Sequence, residues 1–156
     1  MAESPMIDDI DRRILRALQH DGRMPVQALA EQVGLSASPC ARRVRLLEEA
    51  GIIKGYAAVI DEAKLGFAVS VFVSVKLDRQ VDEALKKFEA AVKSYPEVVD
   101  CWLMTGARDY LIRIATADLV EFEEFLTSKL TRIDGVSAIE SSIPLRRVKA
   151  ATARQA

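Results

Sequence analysis

The chain has 156 residues, half of them hydrophobic and 29% charged, and a net charge of −1 at pH 7. That length allows one medium domain or two small ones with packed cores. The balanced charge excludes a broadly basic nucleic-acid coat, so any nucleic-acid contact has to come from local clustering multiplied by assembly.

Asp8 stands at a helix N-cap position with Asp11 three residues on, and Ile10, Ile14 and Leu18 then recur at helical spacing beside Leu15. Asp21-Gly22 stops this helix. A second helix is expected from about Pro25 to Val33, with Leu29 and Val33 inward. Gly34 suits the left-handed position just past its end. Ser38 then reads as the next N-cap, and Pro39 as a first-turn residue whose missing N–H costs nothing. The third helix is expected over Pro39 to Ala50, closed by Gly51. Cys40, Val44 and Leu47 line its inner face, Arg42 and Arg45 point outward with Glu49, and Arg43 lies at the flank. Two short helices joined by a glycine turn, the second with an outward basic stripe, form a helix-turn-helix pattern suited to phosphate and guanine recognition. Ile52 to Ile60 is β-like, with Gly55 at a bend, which completes the outline of a winged helix-turn-helix.

Asp61 to Gly66 reads as a linker. Ala68 to Leu77 then alternates strictly: Val69, Val71, Val73, Val75 and Leu77 share one apolar face, and Ser70, Phe72, Ser74 and Lys76 share a mixed one. The apolar face should lie under helices, and the mixed face suits a second copy of the sheet. A helix follows over Val81 to Tyr95, with Val81, Leu85, Phe88 and Val92 inward. Strands over Val98 to Met104 and Tyr110 to Ala115 are joined by Thr105-Gly106-Ala107-Arg108-Asp109. Asp118 caps a helix carrying Leu119, Phe122, Leu126, Leu130 and Ile133. Asp134-Gly135 leads into a last strand, Ser137 to Val148, which Pro144 assigns to a sheet edge. The order βαββαβ is the ferredoxin-like motif. The fold class is therefore α+β, with domains expected at 1–60, a linker at 61–67, a second domain at 68–148 and a flexible tail at 149–156.

Cys40 and Cys101 match neither a disulfide framework nor a metal motif, and free thiols in a reducing compartment are expected. The N-terminus lacks a signal-peptide apolar core, and the longest apolar run, Phe67 to Val75, is too short to span a bilayer, so a cytoplasmic chain without a membrane partner is expected. His20 is the sole histidine, at a polar helix end. There is no phosphate-binding glycine loop, metal spacing or nucleophile elbow. Catalytic residues, metal and cofactor are thus expected to be absent, and the chain is not expected to be an enzyme.

Asp11-Arg12-Arg13-Ile14-Leu15, Asp21-Gly22-Arg23, Gly34-Leu35-Ser36, Ser38-Pro39-Cys40, Arg43-Val44, Leu47-Glu48, Gly51-Ile52-Ile53, Gly55-Tyr56 and Gly106 through Asp109-Tyr110 occur in one order over residues 8–148. In that order and spacing the chain resembles the leucine-responsive/asparagine-responsive (Lrp/AsnC) family of transcription regulators. The resemblance implies a DNA-binding domain, a β linker and a sensor domain. It implies a homodimer paired sheet to sheet that assembles into a tetramer or octamer, with double-stranded DNA and an amino-acid effector as partners. One departure is Pro25, where the family usually has a capping Ser or Asn; the fold should survive with a different cap.

The chain has no asparagine, and no glutamine lies on the third helix. Bidentate amide readout of adenine is unavailable there. The DNA-binding residues expected are Ser36, Ser38, Pro39, Arg42, Arg43 and Arg45. Arg42 and Arg45 favour guanine near the outer edges of each half-site, with A/T-rich centres read by bending. Arg43 either contacts phosphate or pairs with Glu48 or another acid. The resemblance places the effector beside Met104, Thr105, Gly106, Asp109 and Tyr110, with Thr131 and Ser142 on the rim. Backbone N–H groups at Gly106 suit a carboxylate, and Asp109 suits an α-ammonium group. The reading is an effector-modulated regulator of amino-acid metabolism or transport genes; the alternative is an architectural, nucleoid-associated protein without a ligand.

Overall fold

In the computed structural model, which describes residues 7–150 and 156, helix α1 (Asp9–His20) starts on a reciprocal cap. Asp8 accepts from the Asp11 N–H at 2.8 Å, and the Asp11 carboxylate accepts from the Asp8 N–H at 3.2 Å. Helix α2 (Val26–Val33) begins directly after Pro25, which occupies the N-cap without a side-chain bond. Gly34 closes α2 at φ 76°, and the Leu35 N–H returns to the Ala30 carbonyl at 2.8 Å. Helix α3 spans Ala37–Glu49. Ile14, Ala17, Leu29, Ala30, Val33, Cys40 and Leu47 form the buried core of the three helices.

Two expectations fail in this half. The N-cap of α3 is Ser36, not Ser38. Pro39 therefore sits two residues deeper, still among the first four N–H positions that lack a helical acceptor. Ile52 to Ile60 contributes no strand to a sheet of the described residues. The Ile52 and Ile53 N–H groups both return to the Leu47 carbonyl, at 3.0 and 3.1 Å. Their side chains pack on the three-helix core, and residues 54–60 join no sheet of the described residues.

The chain divides into two compact units, the residues before Ile60 with those from Lys149, and Ile60–Val148. In the second unit a short 3₁₀ turn (Ala63–Leu65) precedes β1 (Val69–Leu77), α4 (Asp82–Lys93), β2 (Val98–Leu103), β3 (Tyr110–Thr116), α5 (Leu119–Ser128), a second 3₁₀ turn (Leu130–Arg132) and β4 (Val136–Ser142). The sheet is antiparallel in the order β2-β3-β1-β4, the ferredoxin-like arrangement. Val71, Val73, Val75 and Leu77 of β1 are buried with Ile112 and Ile114 of β3 under Phe88, Val92, Phe122 and Phe125. Burying one such side chain is worth about 1.5–3 kcal/mol, so the period-two pattern of β1 largely decides which face carries the helices.

Some boundaries differ from expectation. Strand β4 does lie at an edge, but it ends at Ser142, so Pro144 follows the strand instead of interrupting it. Leu119 is exposed at the start of α5, whereas Phe125 is buried in its place. Val81 is the exposed N-cap of α4 and not part of its inner face. The expected tail at 149–156 falls largely on 151–155, outside the described residues. No described helix is long and apolar enough to cross a membrane.

Candidate nucleic-acid interface and effector site

The first turn and outer face of α3 carry the nucleic-acid candidates. Ser36, Ser38, Pro39, Arg42 and Arg45 are all exposed. Arg42 forms no ion pair with a described residue. Arg45 makes only a loose contact to Glu49, at 3.5 Å, which a phosphate or a base edge can replace at little cost.

Arg43 is placed differently. Its Nη1 donates to Asp8 at 2.7 Å and to Asp11 at 2.8 Å, the two residues that cap α1. The guanidinium lowers the pKa of Asp8 below the ordinary carboxylate range, after the larger effect of the Asp11 N–H. Of the alternatives for Arg43, pairing with an acid is the one realised, with Asp8 and Asp11 as partners. Glu48 instead accepts from the Tyr56 hydroxyl at 3.0 Å.

The effector candidates cluster at the β2–β3 turn. Gly106 has φ 111°, and an added Cβ there would meet nothing within 4 Å. The glycine is thus required by backbone conformation, not by crowding. Met104, Thr105 and Gly106 are exposed, and the Met104 N–H closes the turn on the Asp109 carbonyl at 2.8 Å. Arg108 reaches Glu140 of β4 at 3.0 Å.

Asp109 does not face solvent. It is 3% exposed. One carboxylate oxygen accepts from the Leu77 N–H at 2.6 Å, and the other accepts from the Gln80 side-chain amide. Its own N–H donates to the Val75 carbonyl at 2.9 Å. Asp109 thus fastens the turn to the end of β1. Tyr110 is also buried; its ring lies 4.4 Å from that of Phe88 and its hydroxyl donates to Glu89 at 3.0 Å. Burial, then the Glu89 carboxylate, raises the pKa of that hydroxyl. Thr131 is exposed and bonded to the Thr127 carbonyl. Ser142 pairs with Phe72, whereas Tyr110 pairs with Val75, so Ser142 lies roughly 10 Å along the sheet from the turn at about 3.3 Å per residue. One chain therefore brings Met104, Thr105 and Gly106 together, with Asp109 and Tyr110 behind them, and leaves Ser142 apart. Gln80 escaped the sequence reading, because nothing in its loop marks a partner 29 residues away.

The open face of the sheet presents Phe72, Trp102, Leu111 and Arg113, placed together by the register of β1, β2 and β3. Trp102 remains 44% exposed. Arg113 holds Glu62 through two bonds of 2.8 and 2.9 Å and approaches Asp100 at 3.4 Å. The bidentate pair lowers the pKa of Glu62.

Comparison with known proteins matches residues 70–154 to the Lrp/AsnC ligand-binding domain and residues 7–54 to a winged helix-turn-helix DNA-binding domain. The chain belongs to the Lrp/AsnC family. It is 47% identical to the Bkd operon transcriptional regulator of Pseudomonas aeruginosa, over 91% of this chain and 93% of that protein. It is 42% identical to the leucine-responsive regulatory protein of Rhizobium meliloti, with 92% of each covered. Among solved structures, a Neisseria meningitidis transcriptional regulator in complex with L-Met superposes with TM-score 0.89 at 36% identity, covering 93% of this chain and 94% of that one. Escherichia coli AsnC gives TM-score 0.83 at 28% identity, covering 95% and 98%. Like these Lrp/AsnC relatives, the chain is a DNA-binding transcriptional regulator. The ligand-binding character of the matched sensor domain counts against the ligand-free architectural alternative.

Proposed function

We propose that the chain is a homo-oligomeric, cytoplasmic regulator with no catalytic activity, whose affinity for its operators is set by an amino acid bound at the sensor domain. The observation that carries the DNA half is α3. It is held from behind by Arg43 on the caps of α1, while Arg42 and Arg45 stay available in front. Arg42 and Arg45 read guanine, Ser36 and Ser38 contact phosphate beside Pro39, and Arg43 fixes the angle of the helix instead of touching DNA. Dimerisation through the open sheet face, centred on Trp102 and Phe72, doubles the reading helices and yields near-palindromic sites.

The effector half rests on the exposed turn at Met104, Thr105 and Gly106, where the N–H groups of Thr105 and Gly106 can receive a carboxylate. The complex of the Neisseria relative with L-Met supports an amino acid as the ligand class. Asp109 acts in this reading by positioning the turn, with Tyr110 behind it. Thr131 and Ser142 complete the site from another protomer, since Ser142 stands apart from the turn of its own chain. The ligand acts on DNA affinity by reciprocal linkage, so DNA changes the affinity for the ligand by the same factor.

The test is competition between DNA from upstream of the chain's own gene and random DNA at a fixed, stated salt concentration, because phosphate contacts make affinity steeply salt-dependent. Preference for the upstream DNA that is lost in Arg42→Ala but kept in Arg43→Lys supports the assignment of roles. Equal binding of both DNAs by the parent protein would overturn sequence-specific regulation at that site.

A further inference from the structure

On the helical side of the sheet, at the β2 edge, lies a cleft that neither site above uses. Glu89, Val92 and Lys93 of α4, Cys101 and Leu103 of β2 and Tyr110 of β3 line a half-open cleft of about 250 Å³. This falls below the roughly 300 Å³ at which pockets for drug-sized ligands begin, so the space suits a small metabolite and not a nucleotide. Its walls are largely apolar.

The charges in the cleft are arranged unusually. Glu89 and Lys93 are four residues apart on α4, a spacing at which acid and base commonly pair. Glu83 and Lys87 on the same helix do pair, at 3.2 Å. Glu89 and Lys93 do not. Glu89 accepts from the Tyr110 hydroxyl at 3.0 Å, a bond that orients the carboxylate, and Lys93 forms no ion pair with a described residue. The cleft thus holds an oriented carboxylate and a separate ammonium above an apolar floor. The matching ligand carries an ammonium and a carboxylate on one carbon and an apolar group beyond.

We propose that this cleft is a second small-molecule site, binding a free amino acid with an apolar side chain. Glu89 receives the ammonium group, Lys93 receives the carboxylate, and Val92 and Leu103 cover the side chain. The site is distinct from the turn at Gly106; of the residues assigned there only Tyr110 borders it, through its hold on Glu89.

Cys101 is a built-in reporter. It is exposed and lines the cleft, whereas Cys40, the other thiol, is buried with 0% exposure. The experiment measures the rate at which N-ethylmaleimide alkylates Cys101 in the full-length native protein at one mildly alkaline pH. Leucine, isoleucine, valine, methionine and phenylalanine are each added, alongside isopentylamine and 4-methylpentanoate, which carry only one of the two charges. At about ten times its dissociation constant, a ligand covering Cys101 slows alkylation about tenfold. Slowing is expected with at least one of the five amino acids, and not with the single-charge analogues. Lys93→Met, a change at an exposed position whose melting temperature is checked, is expected to abolish the protection. Gly106→Ala, similarly checked, is expected to retain it. Absence of slowing by all five amino acids, or full protection in Lys93→Met, would overturn the site. Loss of protection in Gly106→Ala would also overturn it, assigning the effect to the turn and leaving the turn reading standing.

Discussion

Removing the Asp109 carboxylate tests whether that residue builds the sensor turn or merely decorates it. In Asp109→Ala the Leu77 N–H, now bonded at 2.6 Å, and the Gln80 amide both lose their acceptor. A buried donor left without a partner costs about 1–3 kcal/mol. Leu77 and Asp109 are 3% exposed each, so water cannot readily replace the lost acceptor. The sum is on the order of 3 kcal/mol, with Gln80 adding less because it can swing to solvent. For a domain of about 60–100 residues, 1 kcal/mol moves the melting temperature by about 4–8 °C, so a fall of roughly 12–24 °C is expected. Asp109→Asn keeps one carbonyl for the Leu77 N–H and should lose about half as much, since a neutral acceptor bonds more weakly than a charged one. The assay is thermal denaturation followed by circular dichroism, with and without candidate effectors. Melting of Asp109→Ala within about 2 °C of the parent would refute the bracing role, because it would mean that the orphaned donors cost less than about 0.5 kcal/mol. A weakened effector response with unchanged melting would return Asp109 to direct ligand contact.

Three further outcomes are expected. Gly34→Ala, at φ 76° with open space around the added Cβ, should destabilise the helix-turn-helix unit by about 1–2 kcal/mol through backbone strain alone, as read from chemical denaturation; Gly34→Asn should cost less. Glu62→Gln should lower stability at neutral pH, and the deficit relative to the parent should shrink as the medium is acidified. The Arg113 pair depresses the Glu62 pKa below 4.5, so its contribution is complete above that ordinary value and disappears as pH falls through the folded-state pKa; a deficit constant from neutral to strongly acidic pH would contradict the pairing. Arg42→Ala should cost about 1–3 kcal/mol in operator affinity and relax preference at one base position, whereas Arg43→Met should lower the melting temperature of the N-terminal unit and leave base preference unchanged, as measured by base-by-base substitution of a bound operator.

Features that depend on neighbours in the sequence were legible from residues alone. Asp8, Asp118 and Gly34 cap helices through bonds to groups within a few residues, and β1 declares its buried face by alternation. Pro39 misled the placement of the α3 cap because proline is tolerated throughout the first turn, so its presence does not fix which residue precedes the helix. The β-like stretch after Gly51 has strand composition, but a strand also needs a partner, and composition does not supply one. Asp109 and Arg43 stood out as charged groups at the right turn and helix, yet their roles depend on Gln80 and on Asp8, separated from them by 29 and 35 residues. Charge and spacing along the chain cannot reveal a partner that only folding brings near. For the same reason nothing along the chain links Tyr110 to Glu89, which accepts its hydroxyl on the helical side.

An amino acid bound at the sensor domain and DNA bound at α3 are coupled in this regulator as proposed. The most direct test of that coupling is a titration of labelled upstream DNA with the full-length protein, at fixed salt, in the presence of each of the common amino acids in turn. One or a few of them are expected to shift the apparent dissociation constant by about 5–150-fold, the usual range of allosteric coupling, and Gly106→Ala is expected to reduce the shift while leaving ligand-free DNA binding intact. Sequence-preferring binding that no amino acid alters would contradict the coupling.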